Sequence, residues 1–497
     1  MKQYTFGLIL VLTAALVIVS CQKQLNLEPI SNISSSVFWK TDKDATGALF
    51  GMYARLKTVA QSDLFLLGES RSESMSGSVA SSGSYQGYIQ NTITPINTTV
   101  NWQKIYLVIH DANLILKYVP AIGFTSDANK KNILAQAYTM RAYLYFVLAR
   151  SWGDVPLVTE PTEGYSAETT QRPKTPVAEV FGQIKRDLDS AAANFQTDAF
   201  PAGRNMWSRP AMHTLKGDVY LWTAKVLNGG QADLTVALDA LNKAAAADAV
   251  LLSDFNQVFD YANKGNKEIL MGLSFRLLDP GSLAVYADMY AASTYFPVAL
   301  IDQATRDAVG ALGGAPYWEP SALVRSQFDN DDRRKNATFI EIYTRDPKDP
   351  NPPKYHSSVN VKFNGVVDGG VRKWVDDLPL YRYADVLLLK AEVKNAMGMD
   401  PAEEINAIRS RAYGTNMPAH LFVSGSKAYN DEQLLKERLL EFLFEGKRWW
   451  DLLRFNKAFE LVPSLASQAD KQYLKLWPIA LTTLSLEPKV TQNPGYE

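Results

Sequence analysis

The sequence predicts an all-α protein in which paired helices form a scaffold and long loops project from it. Three observations lead there. From Lys43 onward, nearly every periodic segment carries apolar residues at helical spacing. These segments come in pairs of about 15–20 residues with short joins, the pattern of antiparallel helix hairpins. A content of 46% apolar and 21% charged residues is that of a folded globular chain.

Taken in order, MKQYTFGLILVLTAALVIVSC opens with one Lys, an apolar run from Phe6 to Val19, then Ser20 and Cys21. That is an export signal over residues 1–20, too short for a membrane span of about 20 apolar residues. Ile18-Val19-Ser20-Cys21 resembles a bacterial lipobox, and Cys21 is the sole cysteine of 497 residues. Lipidation of Cys21 would anchor the protein to a membrane surface without spanning it. With no second thiol there is no intramolecular disulfide, so the fold must rest on its core. Residues 21–42 read as the lipidated N-terminus and its tether.

Helical stripes then follow. ATGALFGMYARLKTVA is periodic, and Trp102, Tyr106, Ile109 and Asn113 lie on one stripe. So do Leu134, Tyr138, Arg141, Tyr145 and Leu148, before a stop at Gly153 and Pro156. Further helices are expected over 177–195, 210–227, 234–247, 380–397, 401–412 and 431–446. The hairpins have a tetratricopeptide-like texture, though no clean repeat of about 34 residues aligns. The expected division is a helical region over 43–260 and a second over 261–497, forming one compact unit. Three irregular segments interrupt the helices: 68–98, rich in Ser and Gly; 279–320; and 345–376, rich in Pro, Gly and Asp. Structureless loops beyond about 12–15 residues are uncommon unless they have a function, so a ligand face is expected there.

Composition excludes several functions. Basic and acidic residues nearly balance, 51 against 52, which gives no basic excess for nucleic acid. The four histidines, His110, His213, His356 and His420, show no metal-ligand spacing, and no metal or cofactor is expected. There is no G-x-S-x-G elbow, P-loop or G-x-G-x-x-G. The acidic run Asp329-Asn330-Asp331-Asp332 lacks the glycine and terminal Glu of a calcium loop and reads as a capping or solvated turn.

The stretch FLFEGKRWWDLLRF concentrates charge and tryptophan. Leu435, Leu439, Phe442, Gly446, Trp449 and Leu453 fit one continuous helix face, with Glu437, Glu441 and Glu445 along a neighbouring one. Three carboxylates in a row need cations. Arg448 from the next turn, and Arg409 or Arg411 from another helix, are the expected partners. Gly446 costs a helix about 1 kcal/mol, and close approach of another backbone is its expected return. The stretch reads as architecture.

KERLLEFLFEGKRWWDLLRF also resembles the E-R-x-x-E-x-x-x-E-G-x-R-W-x-D-L-x-R pattern of SusD/RagB-type lipoproteins of Bacteroidetes, at Glu437, Arg438, Glu441, Glu445, Gly446, Arg448, Trp449, Asp451, Leu452 and Arg454. RAYLYFVLARSWGDVPLV, LPLYRYADVLLLKAEVKN and EINAIRSRAYG agree in order, and FDNDDRR resembles the family's D-x-R-R segment. The resemblance implies a tetratricopeptide-like helix-pair scaffold with inserted loops as the ligand face. It also implies a glycan-binding outer-membrane lipoprotein, not an enzyme, that faces the cell exterior over a SusC-like TonB-dependent transporter. The residues after Cys21 depart from the acid-rich patch associated with surface export.

Sugars stack their C–H faces on aromatic rings and offer hydroxyls to carboxylates and guanidinium groups. The candidate glycan-binding residues are therefore Arg71, Glu73, Tyr85 and Tyr88 in the first loop, and Tyr290, Tyr295 and Trp318 in the second. Trp318 follows GALGGAPY and precedes Pro320, a context that predicts turn backbone and few neighbours for its ring. Two alternatives stay open: peptide uptake of the RagB kind, and a surface glycosidase with two carboxyl groups about 5–9.5 Å apart.

Overall fold

Helices begin where the sequence supplies caps. In the computed structural model, which describes residues 38–164 and 166–496, the Thr41 hydroxyl accepts from the Asp44 amide and opens α1 (Asp42–Ala60). α2 spans Gln103–Tyr118, and Ser126 caps α3 (Asp127–Trp152), which stops at Gly153 as expected. α4 is Val177–Asn194. Ser208 caps α5 (Arg209–Val226), with Pro210 in the first turn, where no helical amide is missed. α6 is Gly230–Ala245, α7 Tyr383–Ala396, α8 Ala402–Tyr413, α9 Lys427–Phe442 and α10 Arg448–Arg454. Shorter helical turns are left unnumbered. Successive helices pack together: α1 on α2, α2 on α3, α3 on α4, α5 on α6, α6 on α7, and α7 on both α8 and α9. The signal segment, Cys21 and the tether up to residue 37 lie outside the described residues. Among the described residues, no helix is long and apolar enough to cross a membrane.

At 53% helix and 9% strand the chain is mostly helical, which corrects a strict all-α class. The strands are β1 (Met75–Gly77), β2 (Ile269–Ser274), β3 (Trp318–Pro320), β4 (Phe339–Thr344), β5 (Lys354–Asn360), β6 (Val366–Asp368), β7 (Val371–Lys373) and β8 (Asp377–Arg382). They form four antiparallel pairs, β1–β3, β2–β8, β4–β5 and β6–β7. Most fall in the segments expected to be irregular. Backbone groups in long, partly buried loops need partners, and short ladders supply them.

The C-terminal stretch is not one helix. α9 ends at Phe442, Phe444 and Gly446 take positive φ (73° and 70°), and α10 begins at Arg448. The cause lies in the first loop. The buried Glu69 carboxylate accepts from the amides of Phe444 (3.1 Å), Gly446 (2.8 Å) and Lys447 (3.2 Å), which holds the chain in a turn. The backbones do approach closely here. A Cβ added at Gly68 would sit 1.8 Å from the Gly446 carbonyl oxygen.

The three glutamates are answered from other elements. Glu437 pairs with Arg334 (2.7 Å) and Arg409 (2.8 Å). Glu441 meets Arg382 (2.5 Å), Arg334 (3.2 Å) and Arg411. Glu445 meets Arg382 (2.8 Å) and Lys362 (2.7 Å). Arg409 and Arg411 act as expected. Arg448 does not: it turns to Glu73 (2.9 Å) and to the Leu435 carbonyl (2.7 Å). The acidic run is not simply a solvated turn either, because Asp332 is buried against Arg334 at 2.8 Å.

Burial alone would raise Glu445, but Arg382, Lys362 and Lys447 outweigh it and hold the carboxyl at about 2. Arg454 and Lys225 likewise overcome burial at Glu392 and hold it at about 2. Both folded values lie below the ordinary 4.5. Their stabilisation is therefore complete above about pH 4.5 and lost as pH falls towards 2. Urea midpoints measured between pH 6 and 2.5 should drop over that window; a flat profile would contradict the network. Arg382→Ala should cost about 3–5 kcal/mol by stranding buried carboxylates. Gly68→Ala should also lower the melting temperature, because the new methyl meets backbone and not a movable side chain.

Candidate functional site

The first and second long loops meet through β1 and β3, with Met75 opposite Pro320 and Gly77 opposite Trp318. Beyond the strands, the Ser78 amide donates to the Tyr317 carbonyl (3.1 Å) and the Ala80 amide to that of Pro316 (3.0 Å). This pairing brings the helical turn Gly83–Ile89 over β3. There the half-buried rings of Tyr85 and Tyr317 stack at 4.7 Å and 23°. The Tyr85 hydroxyl donates to Asp288 Oδ2 at 2.9 Å. Burial pushes the Asp288 carboxyl up to about 6 against the pull of that hydrogen bond. Burial, followed by the nearby Asp288, raises the Tyr85 phenol. At neutral pH the pair is thus a phenol donor and a carboxylate acceptor beside an aromatic stack.

A second group of rings adjoins the first. Buried Glu319 accepts from the Ser78 hydroxyl (2.8 Å), the Tyr355 hydroxyl (3.0 Å) and the Ser358 amide (3.1 Å). The Arg325 guanidinium lies 3.9 Å from the centre of the Tyr355 ring, and exposed Tyr343 meets that ring edge-on at 5.8 Å. Glu319 thus ties the Tyr355–Tyr343 pair, on β5 and β4, to the joined loops that carry the Tyr85–Tyr317 stack. Such a surface suits a ligand that has an apolar face and hydroxyls to share.

Most of the residues expected from sequence lie beneath it. Trp318 is fully buried, edge-on to Tyr85 at 5.0 Å and parallel to Tyr88 at 6.1 Å. The expectation of few neighbours is corrected: Trp318, the first residue of β3, packs against the rings of Phe65, Tyr85 and Tyr88. Arg71 is also buried and donates to Asn91 (2.8 Å) and to the Leu476 and Leu474 carbonyls, lying over the Trp449 ring at 4.5 Å. Glu73 is consumed by Arg448. Tyr88 is buried with its hydroxyl on Thr99, and Tyr290 is buried with its hydroxyl on the Val309 carbonyl. These five are held in the interior and do not present themselves on the surface. Tyr85 and Tyr295 remain accessible, Tyr295 at 44% exposure. Sequence reasoning missed Tyr317, Tyr343, Tyr355 and Asp288. Only the position of Tyr317 beside Trp318 signalled any of them.

The profile described as "SusD family" matches residues 369–496, and one described as "Starch-binding associating with outer membrane" matches 28–201. A solved structure of Bacteroides fragilis NanU is 32% identical, with a TM-score of 0.84, covering 95% of this chain and all of that one. The chain belongs to the SusD family. SusD-like protein P38 of Formosa agariphila is 27% identical over 98% of both chains. A laminarin-binding SusD-like protein, 20% identical, shares the fold with a TM-score of 0.75 over 92% of this chain and all of that one. In this SusD-family chain the motif residues Glu437, Glu441 and Glu445 belong to the buried network, which agrees with their reading as architecture.

Trp318→Ala should lower stability by about 3–5 kcal/mol, the usual cost of emptying a buried Trp site. Chemical denaturation of the variant would show it, and an unchanged midpoint would return Trp318 to the list of surface residues.

Proposed function

We propose that this protein is a cell-surface glycan-binding lipoprotein that captures oligo- or polysaccharide. It delivers the ligand, uncut, to a SusC-like TonB-dependent outer-membrane transporter. The observation that carries this reading is the Tyr85–Tyr317 stack beside the Asp288 carboxylate, on a surface built where two long loops join. Rings supply faces for sugar C–H groups, while Asp288 and the Tyr355 hydroxyl supply partners for sugar hydroxyls. The family description, which names starch binding and association with the outer membrane, supports the ligand class and the location. Lipidation of Cys21 would give the anchor, and the hairpins formed by α1 to α9 would be the tetratricopeptide-like frame beneath the ligand face.

A glycan-array screen followed by calorimetric titration tests the site. Tyr85→Ala and Tyr317→Ala should each weaken the glycan found by at least tenfold, about 1.4 kcal/mol, and Tyr295→Ala should weaken it as well. Unchanged affinity in all three would remove this surface as the site. Because Asp288 accepts hydrogen bonds as a carboxylate, affinity should fall as pH is lowered through about 6, and Asp288→Asn should flatten that profile. Cys21→Ala should yield a folded protein released from membranes; retention after a carbonate wash would refute the anchor.

A further inference from the structure

A second cavity shares no residue with the loop surface. α2, the segment that follows α3 and the C-terminal helix Leu481–Leu486 enclose a cleft of about 360 Å³. That lies within the range of small-molecule sites, roughly 300–1,000 Å³. Tyr106, Pro156 and the Trp102 side chain contribute apolar wall, and Leu107 and Leu486 stand exposed at 43% and 74%.

Two charges of opposite sign line this wall without answering each other. Arg172 is half-buried, and among the described residues its one hydrogen bond runs from Nε to the Thr169 carbonyl at 3.4 Å. Among the described residues, its other guanidinium nitrogens meet no acceptor. Glu487 is likewise half-buried and, among the described residues, has neither a cation nor a side-chain hydrogen bond. Burial raises its carboxyl, the response of an acid that lacks a partner. Lys185, at a similar depth, is by contrast paired with Asp233. Half-buried charges left separate across an apolar wall lose hydration without recovering it in an ion pair. A ligand that carried both complementary charges, spaced apart, would restore both at once. His110 adds a neutral polar group to the lining: the Thr162 amide donates to its Nδ1 at 3.3 Å, which places the ring proton on Nε2.

We infer that this cleft binds a small zwitterion with an apolar body, of the class of a short apolar peptide. Its carboxylate meets Arg172, its ammonium meets Glu487, and its side chains lie on Tyr106, Leu107 and Leu486. The inference is independent of the glycan reading, since the two sites have no side chain in common.

Leucyl-leucine is the probe. It is titrated into the full chain by calorimetry beside N-acetyl-leucyl-leucine, which lacks the ammonium, and leucyl-leucinamide, which lacks the carboxylate. Leucyl-leucine should bind, and each blocked analogue should bind at least tenfold more weakly. Arg172→Gln should weaken leucyl-leucine at least tenfold and abolish its advantage over leucyl-leucinamide. Glu487→Gln should do the same for its advantage over the acetylated analogue. Melting temperatures should stay at the parent value, because both side chains are half-exposed and unpaired. Three results would overturn the proposal: no binding of leucyl-leucine at millimolar concentration, equal binding of the blocked analogues, or parental affinity in both variants.

Discussion

Arg382 is the residue on which most of the structure depends. It lies at the end of β8 with its guanidinium fully buried, and it reaches Glu268 (2.7 Å), Glu441 (2.5 Å) and Glu445 (2.8 Å). Arg411 from α8 shares Glu268 and Glu441 with it, and Arg334 shares Glu441. One cluster thus joins the end of β8, the residue before β2, the helices α8 and α9, and the turn after α9. A buried pair gains little net free energy over apolar packing, but breaking it leaves charges stranded. The cluster therefore penalises any arrangement that separates these elements, and so acts more on which geometry is adopted than on how much stability it has.

The loops inherit their positions from it. β2 and β8 are antiparallel partners, and Glu268 and Arg382 bracket them, so the chain between leaves and re-enters the helical frame at one place. Asp288, Tyr317 and Trp318 all lie in that span. The first loop is tied just as firmly from its own side: Glu69 holds the turn at residues 444–447, Arg71 donates to the 474–476 backbone, and Glu73 takes Arg448. Tyr85 reaches Tyr317 because both loops are fixed to the same C-terminal segment.

Periodicity made the helices legible in the sequence, since the apolar spacing of α2, α3 and α9 is written locally, although α3 is buried on all sides from Thr139 onward. The break at Gly446 was not legible, because its cause, the Glu69 carboxylate, lies 377 residues away in sequence. The choice of Tyr317 over Trp318 for the surface was hidden for a related reason. The rings that bury Trp318, those of Phe65, Tyr85 and Tyr88, come from far away in the sequence. Arg71 and Glu73 were misplaced because a charged residue in a polar loop resembles a ligand contact until its buried partners are seen. Composition pointed to the loops; which of their side chains are accessible was decided by contacts between distant segments.

The bracket formed by Glu268 and Arg382 closes a loop spanning 114 positions, and Arg334 and Lys362 pin it again on the way round. Loop-closure entropy grows only logarithmically with length, so doubling any one of the shorter arcs between these pins would cost about 0.6 kcal/mol. The arcs can therefore lengthen, shrink or change composition while the helical frame beneath them scarcely registers the difference. A chain built in this way can try new ligand surfaces by insertion and deletion, with the hydrophobic core and the charge cluster left as they were.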